Sequence, residues 1–215
     1  MQNLVLIGLV LFSFSCSTSD LVDNWKNPEI DTYHAGKVLI VGMTSNQEAR
    51  KLFEDQLKAE YQARQIEAVA SYRYFENSRK SEDDLLVLEK QLLADGFDTI
   101  LFSKIIGSET KERLSKSYRN VDNTYRKFRD DYYTNQDIYY NPAYYEQYPV
   151  YHAEASLYCI CETKERELIW KGFIDITDPT NIKETVDDYV KLMVFILEEN
   201  ELLIKKEAVK TVALN

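Results

Sequence analysis

Apolar residues fall in short blocks along the chain, and the spacing inside successive blocks alternates between continuous and helical. Val38-Leu39-Ile40-Val41 is an unbroken run rich in β-branched residues, the pattern of a strand covered on both faces. Ser45-Asn46-Gln47-Glu48 then reads as a capping box, and Ala49, Leu52, Phe53, Leu57 and Tyr61 follow at helical spacing. A second unit repeats the theme. Ile66 to Tyr74 alternates as a strand, with Ala68, Ala70 and Tyr72 on one face and Val69, Ser71 and Arg73 on the other. Ser81-Glu82-Asp83-Asp84 supplies a cap and three carboxylates for the positive end of a helix dipole. Leu85, Leu88 and Leu92 form that helix's inner stripe, Gly96 stops it, and Phe97 to Ile106 gives another strand. The order β-α-β-α-β with short links predicts a parallel three-stranded core with right-handed crossovers.

The regularity breaks after Gly107. Residues 108–150 are rich in Tyr, Asp, Asn and Arg, and ten of the sixteen tyrosines lie between Tyr118 and Tyr151. Val150 to Cys161 and Leu168 to Ile176 then read as two strands joined by a charged turn, an antiparallel hairpin that extends the sheet. A last helix is predicted from Asp178-Pro179, with Asp178 as cap and Pro179 in the first turn, and Val186, Tyr189, Val190, Met193, Val194 and Leu197 as its stripe. The fold class is therefore α/β: a three-layer-like β-α-β-α-β core with parallel strands, an antiparallel hairpin and a C-terminal helix. Residues 37–199 form one domain with the Tyr-rich insertion at about 108–150, and 200–215 are a tail.

The chain's first block has a different character. Leu4 to Phe14 is apolar and uncharged for about 10 residues, too short for a spanning helix, which needs roughly 20, and polar residues follow at once. Residues 1–15 thus read as a signal peptide ending in Ser13-Phe14-Ser15, with Cys16 placed as the acylated residue of a lipobox. Acyl chains contribute about 0.8 kcal/mol per buried CH₂, so two chains hold a protein stably on a bilayer without spanning it. Residues 16–36 read as a lipidated, polar tether. By analogy with enteric sorting, Ser17 after the cysteine directs the protein to the outer membrane, facing the periplasm or the cell surface.

The first fifteen residues carry no charged side chain, so the formal net charge of −10 belongs wholly to the rest. A field of that sign disfavours nucleic acid, which is bound through Lys and Arg on phosphates. With Cys16 acylated, Cys159 and Cys161 remain. Two residues apart on an extended strand, their Cα atoms stand about 6.5 to 7 Å apart, at the limit for a disulfide, so they are expected as buried small hydrophobes. His34 and His152 are the only histidines, and no metal spacing joins them to the cysteines, so no metal site is expected.

Trp25-Lys26-Asn27-Pro28, Lys37-Val38-Leu39-Ile40-Val41-Gly42, Arg50 and Phe53-Glu54, Gly96-Phe97-Asp98-Thr99-Ile100-Leu101, Leu168-Ile169-Trp170 and Thr177-Asp178-Pro179 occur in that order over nearly the whole mature chain. In this it resembles a family of uncharacterised bacterial cell-envelope lipoproteins. The resemblance implies a compact α/β body, similar in general fold to the N-terminal domain of the Tol system's periplasmic propeller protein. It brings no catalytic residues.

Candidate chemistry is sparse. The turn Gly42-Met43-Thr44-Ser45-Asn46 leads a strand into a helix, where Thr44 and Ser45 are candidate anion ligands. It lacks the GxGxxG and Walker patterns, so it reads first as a capped turn, and no cofactor is expected. No Gly-x-Ser-x-Gly elbow occurs, and carboxylate pairs such as Asp83-Asp84 and Asp187-Asp188 sit at helix ends or on solvated faces. The expected protein is not an enzyme. Tyr132, Tyr133, Tyr139, Tyr140, Tyr144, Tyr145 and Tyr148 are candidate partner-binding residues, because tyrosine pairs a rigid apolar face with a polar tip. The leading reading is a lipid-anchored envelope protein that binds another envelope protein or its own copies; the second is a surface glycan-binding or glycan-processing lipoprotein.

Overall fold

The computed structural model describes residues 17–76, 78–114, 127–136, 140–160 and 167–204. Its strands are β1 (Ser19–Lys26), β2 (Lys37–Met43), β3 (Glu67–Ala70), β4 (Thr99–Leu114), β5 (Tyr145–Cys159) and β6 (Glu167–Thr177). Its helices are α1 (Gln47–Ala63), α2 (Glu82–Ala94), α3 (Phe128–Asn135) and α4 (Ile182–Glu199). The strands make one mixed sheet in the order β1-β6-β5-β4-β2-β3.

The expected parallel core is present: β2 lies between β3 and β4 and runs parallel to both. Because β3 and β4 flank β2 on opposite sides, the two crossovers place α1 on one face and α2 on the other. α4 joins α1. Val38, Ile40, Leu101, Leu157 and Trp170 of the sheet pack with Phe53, Leu57 and Tyr61 of α1 and Val186, Val190 and Met193 of α4. Each fully buried aliphatic side chain here contributes roughly 1.5 to 3 kcal/mol, so this layer carries most of the fold's stability. The opposite layer is smaller, with Leu39, Leu92, Phe97 and Ile160 at its centre. The antiparallel β5–β6 hairpin extends the sheet as expected.

Several boundaries differ from the sequence reading. Residues 17–36 are not a loose tether throughout, because Ser19–Lys26 pairs antiparallel with β6 as an edge strand. The strand expected over Ile66 to Tyr74 stops at Ala70 and turns into a 3-10 segment, Ser71–Arg73. β4 does not end near Ile106 but continues to Leu114, paired with β5 down to the Leu114–Tyr145 couple. Both ends of the presumed insertion are therefore strand, a two-stranded ribbon beyond the body of the sheet. Cys159 is buried but is disulfide-bonded, not the free thiol expected from ideal strand spacing. Its partner cysteine lies outside the described residues, as do Cys16 and all of 205–215.

Helix ends follow local chemistry. Ser81 caps α2, accepting from the Asp84 N–H while the Asp84 carboxylate accepts from the Ser81 N–H. α1 is capped by Asn46 instead of Ser45; its side-chain oxygen accepts from the N–H groups of Glu48 and Ala49 at 3.1 and 3.0 Å. α4 begins three residues later than its Asp178 signal, behind Asn181, which accepts from Lys183 and Glu184. Asp178 instead holds a positive φ of 49° at the bend. Asn46→Ala is expected to cost about 1 kcal/mol, seen as a lower urea midpoint with an unchanged slope.

Candidate functional site

Strand directions bring most of the candidate residues to one end of the molecule. β2 finishes there, β4 passes through it into the ribbon, α1 and α4 start there, and β5 enters it from the ribbon. The register Ser19–Ile176 and Tyr151–Ile176 puts the start of the described chain at the same end. That start is held, not slack. The Thr18 N–H donates to Asp188 at 3.0 Å and its carbonyl accepts from Thr177 at 2.7 Å, while Ser17 Oγ bonds the Ser19 carbonyl at 3.1 Å.

From this end the ribbon projects. Six residues of β4, Glu109 to Leu114, continue past the level of Tyr151, a reach of about 20 Å at the usual strand rise. Cross-strand polar pairs stiffen it: Arg113 to Glu146 at 3.2 Å, Gln147 to Glu112 at 2.9 Å, and Arg113 back to Asp178 at 2.8 Å. The Arg113 guanidinium also lies 5.0 Å over the Tyr148 ring. α3 lies in the connection between the two ribbon strands, and none of its described side chains is buried.

The candidate tyrosines separate into two groups. Tyr132, Tyr133 and Tyr140 are solvent-exposed, at 53%, 75% and 74%, and Phe128 beside them is 82% exposed. Phe128 and Tyr132 stand 5.8 Å apart with rings inclined at 41°. The Tyr132 hydroxyl hydrogen-bonds Tyr140, which raises its pKa above the ordinary phenol value. Tyr144, Tyr145 and Tyr148 are half-buried along the ribbon and its approach. Tyr139 lies outside the described residues. Phe128 was not among the residues singled out in the sequence; its only signal was an isolated aromatic among charges.

Thr44 and Ser45 line a cleft of about 680 Å³ between the starts of α1 and α4, with Asn181, Ile182 and Tyr151 across from them. A smaller apolar recess of about 120 Å³ continues inward past Phe53 and Val186 to Tyr189. Burial pushes the Tyr189 hydroxyl up to about 12, so it stays neutral and hydrogen-bonds Ser103 at 2.8 Å. Two of the first-turn N–H groups of α1 are already taken by Asn46, and Thr44 Oγ1 accepts from the Asn46 N–H at 3.2 Å. The turn thus spends its donors internally, which is the chemistry of a cap.

Beside the cleft lies a buried polar cluster. Arg50 and Glu54, 3% and 0% exposed, pair at 2.9 Å one helical turn apart. Glu54 Oε1 also accepts from the Gly42 N–H at 2.9 Å and from Ser71 Oγ at 2.7 Å, and Oε2 accepts from the Tyr72 N–H at 2.9 Å. Arg50 Nη2 completes the ring by donating to Ser71 Oγ at 2.8 Å. One carboxylate therefore joins α1 to the end of β2 and to the turn after β3.

His152 Nδ1 lies 2.6 Å from Asp175 on the sheet face away from α4, with Glu109 3.8 Å from its other nitrogen. Among the described residues no three His, Cys, Asp or Glu side chains gather as metal ligands, and no helix is long and apolar enough to cross a membrane.

No protein-family model matches the chain, and neither does any curated protein. Among solved structures it is similar to the PelC dodecamer from Paraburkholderia phytofirmans, with a TM-score of 0.44 and 9% identity over 87% of this chain and 99% of that one. A point variant of the same dodecamer in another crystal form gives 0.39 and 9% over 87% and 98%.

Proposed function

We propose that this chain is a non-enzymatic, lipid-anchored cell-envelope protein that binds a protein partner through the aromatic tip of its ribbon. The observation that carries this reading is that the ribbon leaves the same end of the sheet as Ser17. An acyl chain on Cys16 is then separated from β1 by two residues, and the second of those residues, Thr18, is held by Asp188 and Thr177. A leash that short turns this end toward the bilayer, and an arm reaching about 20 Å further brings Phe128, Tyr132, Tyr133 and Tyr140 to headgroup level. Aromatic side chains with polar tips suit that zone. The partner is accordingly a protein held in or on the same membrane, another copy of this chain included.

The exposed rings support protein binding over glycan stacking. Phe128 and Tyr132 are inclined at 41°, not laid as the flat platform on which a sugar ring stacks. Asp130 and Asp131 belong to the first turn of α3, where carboxylates are explained by the helix dipole.

A photocrosslinking amino acid placed at Tyr133, and separately at Val87, which is 66% exposed on α2, tests the reading in intact cells. The expected result is a discrete adduct from position 133 in the membrane fraction and none from position 87. Identical patterns from the two positions would overturn it.

A further inference from the structure

Burial along α2 rises from its start to its end: Leu85 is 50% exposed, Leu88 is half-buried and Leu92 is 2% exposed. The helix therefore diverges from the sheet toward its N-terminus. The gap it leaves is a groove of about 420 Å³, within the range of about 300 to 1,000 Å³ that small-molecule sites occupy. Its floor is Val41, Ile100 and Phe102 of the sheet, each only half-buried. Leu85 and Leu88 form one wall and Phe75 the other.

The charge at this groove runs against the rest of the molecule. In a chain of net charge −10, the lining holds three cations, Arg50, Arg79 and Lys80, and one carboxylate, Glu76. The cations have spare capacity. Arg50 is 97% buried, given its 3% exposure. It spends Nε on Glu54 and Nη2 on Ser71, and its Nη1 makes no hydrogen bond among the described residues. Among the described residues Lys80 hydrogen-bonds the neutral Ser78 hydroxyl at 2.6 Å, stands 6.0 Å over the Phe75 ring, and feels the Asp84 carboxylate at longer range.

We infer that this groove binds a single-chain amphiphile with a carboxylate head, a medium- or long-chain fatty acid. The hydrocarbon chain lies over Val41, Ile100 and Phe102 beneath Leu85 and Leu88, and the carboxylate faces Arg79 and Lys80, with Arg50 at the inner end. A neutral alcohol of equal length offers the same apolar area and no charge-assisted hydrogen bonds, which are roughly twice as strong as neutral ones.

The test uses the full chain carrying Cys16→Ser, which leaves every described residue unchanged and permits detergent-free calorimetry. Decanoate is expected to bind at least tenfold more tightly than 1-decanol. Arg79→Gln with Lys80→Gln is expected to erase that difference, and Leu85→Trp, at a position exposed enough to accept it, to abolish binding of both at an unchanged melting temperature. Absence of decanoate binding, equal binding of acid and alcohol by the parent, or a Leu85→Trp chain that binds like the parent would each overturn the inference. None of these readouts depends on the aromatic tip or on acylation, so the site stands or falls apart from the proposed function.

Discussion

Glu54→Ala is expected to lower the stability of the folded chain by about 3 to 5 kcal/mol, the cost of leaving a buried charge without its partner. Glu54 is fully buried and its two oxygens receive bonds from Arg50, Gly42, Ser71 and Tyr72. Its loss strands the Arg50 guanidinium and removes the acceptor for two backbone N–H groups at once. Domains of this size hold only about 5 to 15 kcal/mol in total, so the variant sits near the edge of folding. Arg50→Met combined with Glu54→Leu is expected to cost less than Glu54→Ala alone, because no charge is left behind. Urea unfolding of the three chains measures this. A Glu54→Ala penalty under about 1 kcal/mol would mean that water reaches the cluster.

The second large effect concerns binding and should spare the fold. Phe128, Tyr132, Tyr133 and Tyr140 are 53% to 82% exposed, and substitutions at such positions usually shift stability by no more than about 0.5 kcal/mol. Interface aromatics, by contrast, often carry about 2 kcal/mol or more each. Replacing all four with serine is thus expected to move the melting temperature by no more than about 4 to 8 °C while lowering the chemically crosslinked partner recovered from intact cells at least tenfold. Undiminished recovery from the serine variant would take the tip out of the interface.

What the sequence revealed and what it hid divide along one physical line. The β2, α1, β3, α2 and β4 core and the stripe of α4 were readable because burial imposes a pattern on the residues, a continuous apolar run where both faces are covered and a period where one is. β1 buries little beyond Ser19: Leu21, Val22 and Trp25 are 38%, 61% and 46% exposed. Its backbone pairs with β6 while its side chains follow no apolar alternation, so it passed for tether. The same holds for Glu109 to Leu114, whose residues are exposed on a two-stranded ribbon. Strand pairing without burial leaves no hydrophobic signature.

The site divides the same way. An unusual density of tyrosine pointed to the ribbon and its tip, but composition does not say which rings are free; Tyr144, Tyr145 and Tyr148 are half-buried while Phe128 is the most exposed of the group. Thr44 and Ser45, candidate anion ligands in a turn that read first as a cap, do line a cleft, and Asn46 takes the N–H groups of Glu48 and Ala49 at the helix start. The groove under α2 depends on how far a helix tilts, and Leu85, Leu88 and Leu92 read in sequence as an equally buried stripe.

Arm and leash share one premise: Cys16 ties this end of the sheet to a bilayer. Mass spectrometry of the native chain purified from the cell envelope addresses it directly. The account predicts a mature chain that begins at Cys16 and carries the added mass of acyl chains on that residue. An unmodified Cys16, or an N-terminus elsewhere recovered in the aqueous fraction, would contradict it.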